Sequence, residues 1–210
     1  MKLTETFYAR PAVHVAVDII GKVLVRRIGR TRMAGVIVET EAYVGPHDLA
    51  CHASKGKTSR TSVMFGPPGR AYVYMIYGIH YCFNVVTDRI GYPSAVLIRA
   101  IEPLDGIQGM KRRRPNTIRD VDIGSGPGKL CKAMSINADL NGIHLDGETL
   151  WIEDNHLDPG PILKGRRIGV DYAGEYRDKQ LRFFVADNPN VSRHRFNSVD
   201  CSLVGEFGSP

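Results

Sequence analysis

The stretch Gly35-Val36-Ile37-Val38-Glu39-Thr40-Glu41-Ala42-Tyr43, closed by Gly45-Pro46 and followed by His52, decides how the rest of the chain is read. Its residues alternate, and side chains on a strand point to opposite faces in turn. Val36, Val38, Thr40 and Ala42 form one face, apolar enough to sit on a core. Ile37, Glu39, Glu41 and Tyr43 form the other. Strands are depleted in glutamate, so two glutamates spaced two apart on a mostly apolar strand need a reason. One reason is a solvated sheet face. The other is a general base in a pocket walled by Tyr43 and His52. Alternation alone does not say which glutamate would serve.

Residues 70–87 read as a β-hairpin. Two aromatic-rich runs flank Gly78-Ile79, a pair that suits a two-residue type II′ turn. Parity puts Tyr72, Tyr74 and Ile76 on one face of the first arm and groups His80, Cys82, Asn84 and Val86 on the second. Tyr77, at the tip, is poorly placed to join a core. Residues 95–101 are apolar except for Arg99, and an arginine inside such a strand calls for a carboxylate partner, because a buried unpaired charge is very costly.

Residues 11–20 suit a short helix, with proline in the first turn, an apolar stripe and Gly21 as its stop. Residues 22–28 and 33–43 read as a hairpin. Residues 109–114 form a basic loop or helix end, and Lys111-Arg112-Arg113-Arg114 is either a solvated face or a phosphate-contacting patch. Gly126-Pro127-Gly128-Lys129 opens a helix running to about Met134, with Ser125 as its cap. A glycine-rich turn at a helix start can hold phosphate, although the P-loop spacing is missing. Further strands are expected over residues 149–153, 166–170 and 181–185. The 210 residues suit a single domain spanning 1–210, without repeats or a dividing linker.

The composition is that of a globular protein, 43% hydrophobic and 24% charged. A net charge of +6 and a pI near 9.2 favour a polyanionic partner, nucleic acid or an anionic membrane surface. No apolar run approaches the roughly 18 residues of a spanning helix, and the N-terminus lacks the apolar core of a signal peptide. The four cysteines form no CxxC pair, and they read as reduced thiols in a cytosolic protein. The seven histidines show no ligand spacing, so neither metal nor cofactor is expected.

The chain resembles the alkylpurine (3-methyladenine) DNA glycosylases. The resemblance rests on Val38-Glu39-Thr40-Glu41-Ala42-Tyr43, on Gly45-Pro46 with Asp48 and His52, and on Tyr72-Val73-Tyr74 through Tyr77-Gly78. It continues through Cys82 with Asn84, Leu97-Ile98-Arg99-Ala100, Ser125-Gly126-Pro127 with Lys129-Leu130-Cys131, Ala173-Gly174-Glu175 and Leu181-Arg182-Phe183. These run in order from about Phe7 to about Ser192.

The resemblance implies a single-domain α+β fold with a curved antiparallel sheet, short peripheral helices and a hairpin that enters the DNA minor groove. It implies a monofunctional base-excision-repair enzyme that flips alkylated or deaminated purines out of duplex DNA and hydrolyses the glycosidic bond. In that scheme Glu41 is the general base and Arg99 positions the water, together with a backbone carbonyl near Ile168. Tyr43, His52 and Tyr74 wall the pocket, Asn84 discriminates against guanine, and Tyr77 is the intercalating wedge. Arg60 and Lys129 would touch the DNA backbone. The protein would act as a monomer on double-stranded DNA, away from membranes and not secreted, in the cytoplasm at the nucleoid or in a nucleus. A damaged-DNA-binding protein that does not cut, or an enzyme such as a formyl-transfer domain on a similar fold, are the competing readings.

Overall fold

The computed structural model describes residues 1–205. Its nine strands join one sheet in which all pairings between strands are antiparallel. Helices α1 (Glu5–Tyr8) and α2 (Ala12–Asp18) precede strands β1 (Val23–Ile28) and β2 (Thr31–Tyr43). The hairpin β3 (Ala71–Ile76) and β4 (His80–Thr87) leads into β5 (Ser94–Asp105), then α3 (Ile107–Arg113) and α4 (Pro127–Met134). Strands β6 (Leu150–Glu153), β7 (Ile162–Gly165), β8 (Arg182–Val185) and β9 (Ser202–Leu203) complete the order. The path β3-β4-β5-β2-β8-β7-β9 is the long sheet, and β1 with β6 branches from β2. The α+β class, the antiparallel sheet and the short helices are as the sequence implied.

Strand β2 organises this sheet. It pairs with β5 along one edge, while its other edge is shared by β1 over Thr31–Val36 and by β8 over Glu39–Glu41. The sheet forks where the neighbour changes, and there the β2–β5 register shifts twice. Ile37 faces Ile101 and Glu39 faces Ala100, so Val38 is extra on β2; Thr40 then faces Ile98, so Arg99 is extra on β5. A bulge bends a strand and re-aims its side chains.

The face assignment is corrected by these bulges. Met33 and Ile37 join the main core in the first half of β2, whereas Val38 and Ala42 join it in the second. Val36 is only partly buried and packs against both the main core and the small cluster of Val23, Val25, Ala34 and Trp151. Strict alternation therefore holds only from Val38 onward, where Glu39, Glu41 and Tyr43 share the face away from α2. Thr40 faces the helix and donates to the Ala16 carbonyl at 2.7 Å.

Three other expectations are corrected. Ile76 pairs with His80, and Tyr77 and Gly78 both have positive φ, 52° and 70°. The Ile79 amide donates to the Ile76 carbonyl, so the tip turns at Tyr77-Gly78 in the type I′ sense, not the type II′ sense at Gly78-Ile79. Residues 166–170 are a loop, and the strand lies earlier, at Ile162–Gly165. Polar groups of that loop are spent on side-chain partners described below and not on a ladder. Ser125 does not cap α4. Gly126 holds the cap position without a side-chain bond, and the Ser125 hydroxyl accepts from Lys129 at 3.2 Å.

The core lies on one side of the sheet. Val73, Phe83, Val85, Val96 and Ile98 point towards α2 and α4, which contribute Val15, Ala16, Leu130 and Met134. Full burial of each large apolar side chain stabilises the fold by roughly 1.5–3 kcal/mol. The alternating residues Tyr72, Tyr74, Cys82, Asn84, Ala95, Leu97 and Arg99 are left on the opposite face. Among the described residues no helix is long and apolar enough to cross a membrane. None of their His, Cys, Asp and Glu groups could hold a metal ion.

Candidate active site

That opposite face carries a cavity of about 490 Å³. Its floor comes from β2, β3, β4 and β5, and its rim from Ala50, Cys51 and His52, from Arg60 and Met64, and from residues 168–170 with Tyr172. Among the sequence-derived site residues, Tyr43, His52, Arg60, Tyr74, Tyr77, Asn84, Arg99 and Ile168 all line it. Lys129 sits nearby on the first turn of α4, whose Pro127 also lines the cavity. That first turn abuts the hairpin near its tip, since a Cβ on Gly128 would lie 3.1 Å from His80.

Glu41 lies one layer beneath the cavity surface and is fully buried. Its Oε1 accepts from the Ile168 amide at 2.8 Å and faces Arg99 Nη1 at 3.2 Å, and its Oε2 accepts from the Tyr43 hydroxyl at 2.9 Å. All three partners line the cavity. Oε1 thus faces the arginine charge, while Oε2 accepts from a neutral hydroxyl. At Ile168 it is the main-chain amide that reaches Glu41.

Glu39 is also fully buried, but it is spent on structure. Its Oε1 accepts from Arg182 Nε at 2.6 Å, Ser192 Oγ at 2.9 Å and Arg99 Nε at 3.3 Å, and its Oε2 accepts from the Ser192 amide at 2.9 Å. Arg99, aimed by its bulge, therefore bridges both glutamates. Burial alone would lower its pKa, and the Glu41 and Glu39 carboxylates outweigh that and raise it, so it is a fixed cation.

A second buried couple holds the rim. Asp48 takes Arg167 on both oxygens, Nη1 at 2.5 Å and Nη2 at 2.8 Å, and also accepts from the Val44 and Ala50 amides. Arg167 donates to the Ala42 carbonyl and lies over the Tyr43 ring at 4.7 Å. Together Glu39, Glu41 and Asp48 are matched in number by Arg99, Arg167 and Arg182, and all six are buried.

The walls are aromatic. The His52 ring meets Tyr74 edge-on at 4.5 Å, and its Nδ1 is 3.0 Å from the Tyr72 hydroxyl. Burial first, and the Arg60 charge second, push the His52 pKa down to about 4, so this wall is neutral at physiological pH. Burial raises the Tyr43 phenol well above its ordinary value, with the Glu41 charge adding to it, so Tyr43 remains a hydrogen-bond donor. Asn84 donates to the Tyr72 carbonyl at 3.0 Å, which fixes its amide and leaves its oxygen free. Tyr77 is 88% exposed at the hairpin tip.

Most of the basic run is partnered within the protein. Lys111 pairs with Asp120, and Arg113 and Arg114 donate to nearby carbonyls, which leaves Arg112 as its exposed member. Sequence reasoning gave no role to Asp48, Arg167 or Arg182, and it did not weigh Tyr172. Asp48 and Arg182 stand in matched segments, which was the available signal. Arg167 had none.

An aromatic cavity on a sheet face, backed by a carboxylate held between an arginine and a main-chain amide, is an arrangement suited to hydrolysis at a planar ligand. A sequence model described as methylpurine-DNA glycosylase matches residues 6–189. A relative from Methanocella arvoryzae is 52% identical over 197 residues, covering 91% of this chain and 96% of its own. One from Myxococcus xanthus is 49% identical over 197 residues, covering 91% and 93%. One from Alkaliphilus oremlandii is 46% identical over 201 residues, covering 92% and 100%. All three are named, provisionally, as 3-methyladenine DNA glycosylases. The chain belongs to the methylpurine-DNA glycosylase family, enzymes of DNA repair that act on DNA.

Proposed function

We propose that this enzyme flips alkylated or deaminated purines, among them 3-methyladenine, 7-methylguanine, hypoxanthine and ethenoadenine, out of duplex DNA and hydrolyses their glycosidic bond with a water activated by Glu41. The observation that carries the proposal is the buried Glu41 carboxylate, held by Arg99, Tyr43 and the Ile168 amide, all three of which line the aromatic cavity. A glycosidic bond inside a stacked duplex is out of reach, so the nucleotide must be extruded. Tyr43, Tyr74 and neutral His52 then sandwich the base. A water bound at Oε2 loses its proton to Glu41 as it attacks the deoxyribose C1′, and the base leaves without a covalent intermediate. The carboxylate also stabilises the developing oxocarbenium cation. Arg99 and the Ile168 main chain hold Glu41 and the water in register. Asn84 places its amide against the base edge and rejects the 2-amino group of guanine. Among the described residues no lysine lines the cavity, which supports a monofunctional enzyme. Arg60 and Lys129 would meet the DNA backbone. The protein would work as a monomer, in the compartment that holds the DNA.

The direct test is a duplex with one hypoxanthine or ethenoadenine, incubated with the protein and then with alkali. Strand breakage only after alkali is the expected result. Breakage without alkali would point to a lyase step, and binding without breakage to a damage sensor that does not cut.

The wedge has its own test. Extrusion costs a few kcal/mol of stacking and pairing, least at a mismatch. Tyr77, held out by a backbone conformation rare for an aromatic residue, offsets part of that by stacking where the base had been, roughly 1–3 kcal/mol. Tyr77→Ser is expected to reduce flipping of a fluorescent ethenoadenine in duplex DNA, and to matter less at mismatched or single-stranded sites. An equal defect on all three substrates would mean that Tyr77 supports the hairpin instead.

A further inference from the structure

Arg60 holds a position that phosphate contact does not explain. Although exposed, it lines the cavity, and its guanidinium lies 5.1 Å from the centre of the Tyr74 ring. Its charge is felt by two neighbouring wall groups: it adds to the burial that lowers the His52 pKa, and it opposes the burial that raises the Tyr72 phenol. The turn that carries it is built. Thr61, nearly fully buried, accepts from the Thr58 amide at 2.8 Å and donates to the Gly56 carbonyl at 3.1 Å. Ser62 donates to the Ser59 carbonyl at 3.1 Å.

Resting on the base-flipping reading above, we infer that Arg60 is the resident cation of the base pocket and biases the enzyme towards neutral over cationic damaged purines. A tyrosine face attracts positive charge, and a guanidinium over it takes up that attraction. A base cation such as 3-methyladenine must either displace Arg60 from Tyr74 or stack beside a like charge. Hypoxanthine and ethenoadenine, being neutral, meet no such opposition and can stack against the guanidinium plane itself.

The test is Arg60→Gln, with Arg60→Lys as the charge-retaining control. Lesion-duplex binding and kcat/KM are measured for 3-methyladenine and hypoxanthine. The 3-methyladenine to hypoxanthine ratio is expected to rise on the order of tenfold in Arg60→Gln, within the span of one cation–π contact. The rise should be clearly smaller in Arg60→Lys, which keeps the charge but not the guanidinium plane. The His52 titration, followed by NMR, should move up from about 4 in Arg60→Gln. Equal losses on both lesions with an unchanged ratio would make Arg60 a phosphate contact only and overturn the inference, as would an unmoved His52. A wild-type protein that binds lesions without excising them would overturn the hydrolytic reading, and the binding ratio would still decide the role of Arg60.

Discussion

Glu41→Gln is expected to cut excision of neutral lesions by at least about a hundredfold while leaving the protein folded. Such a loss corresponds to about 2.7 kcal/mol of transition-state stabilisation. The amide matches the carboxylate in shape, so its oxygen can still accept from Ile168, while the Tyr43 hydroxyl can turn to accept from its NH2. Arg99 keeps Glu39 as a counter-charge. What disappears is the ability to take a proton. Lesion binding should survive, because phosphate contacts dominate affinity. Glu39→Gln should give the opposite pattern. It strands Arg182, fully buried and left with the neutral Asn197 side chain and the Phe184 ring, and breaking a buried ion pair costs about 3–5 kcal/mol. At this chain length that is a drop in Tm of roughly 10 °C. Thermal denaturation beside single-turnover excision checks both. A stable, inactive Glu39→Gln together with an active Glu41→Gln would exchange their roles.

The contrast between the two glutamates shows what the sequence could carry. Their position on one face was legible, because alternation survives from Val38 to Tyr43. Their division of labour was not, since it depends on Arg182 and Ser192, far along the chain, and on which of them arrives at Glu39. The paired bulges at Val38 and Arg99 were invisible for the same reason: a bulge is a property of two strands in register, and each strand alone reads as regular. The hairpin was legible through its aromatic runs and its parity, which the register Tyr72 with Asn84 and Tyr74 with Cys82 reproduces. Its turn was misread because glycine at Gly78 suits either turn type, and a tyrosine in the left-handed region is not something propensity proposes. Residues 166–170 looked like a strand, with Ile168 and Val170 alternating after the two arginines. In the fold Arg167 turns inward to Asp48 and the Ile168 amide to Glu41, so the segment is held by side chains and needs no neighbouring strand.

Loss of that inward turn is the other large effect to expect. Asp48→Asn leaves the Arg167 guanidinium buried without a counter-charge, against a cost of about 3–5 kcal/mol and a Tm lower by roughly 10 °C. The damage should reach catalysis as well, because Arg167 and Ile168 are adjacent. If the guanidinium leaves Ala42 and Asp48, the amide that holds Glu41 Oε1 moves with it. Errors of about 1 Å at a reacting group can cost a hundredfold in rate. The pair is thus a positioning device, and stability and rate can be separated by restoring one without the other. Adding Arg167→Met to Asp48→Asn removes the stranded charge and fills its space, and replacing a buried pair with apolar groups is often neutral or stabilising. The double variant should therefore regain much of the lost Tm. It should not regain kcat, because the Ile168 amide bond to Glu41 is then left without the Arg167 bonds to Ala42 and Asp48 that support it, while lesion binding through phosphates should hold. Recovery of both Tm and kcat would mean that the loop finds its place through packing alone and that Asp48 and Arg167 contribute only to stability.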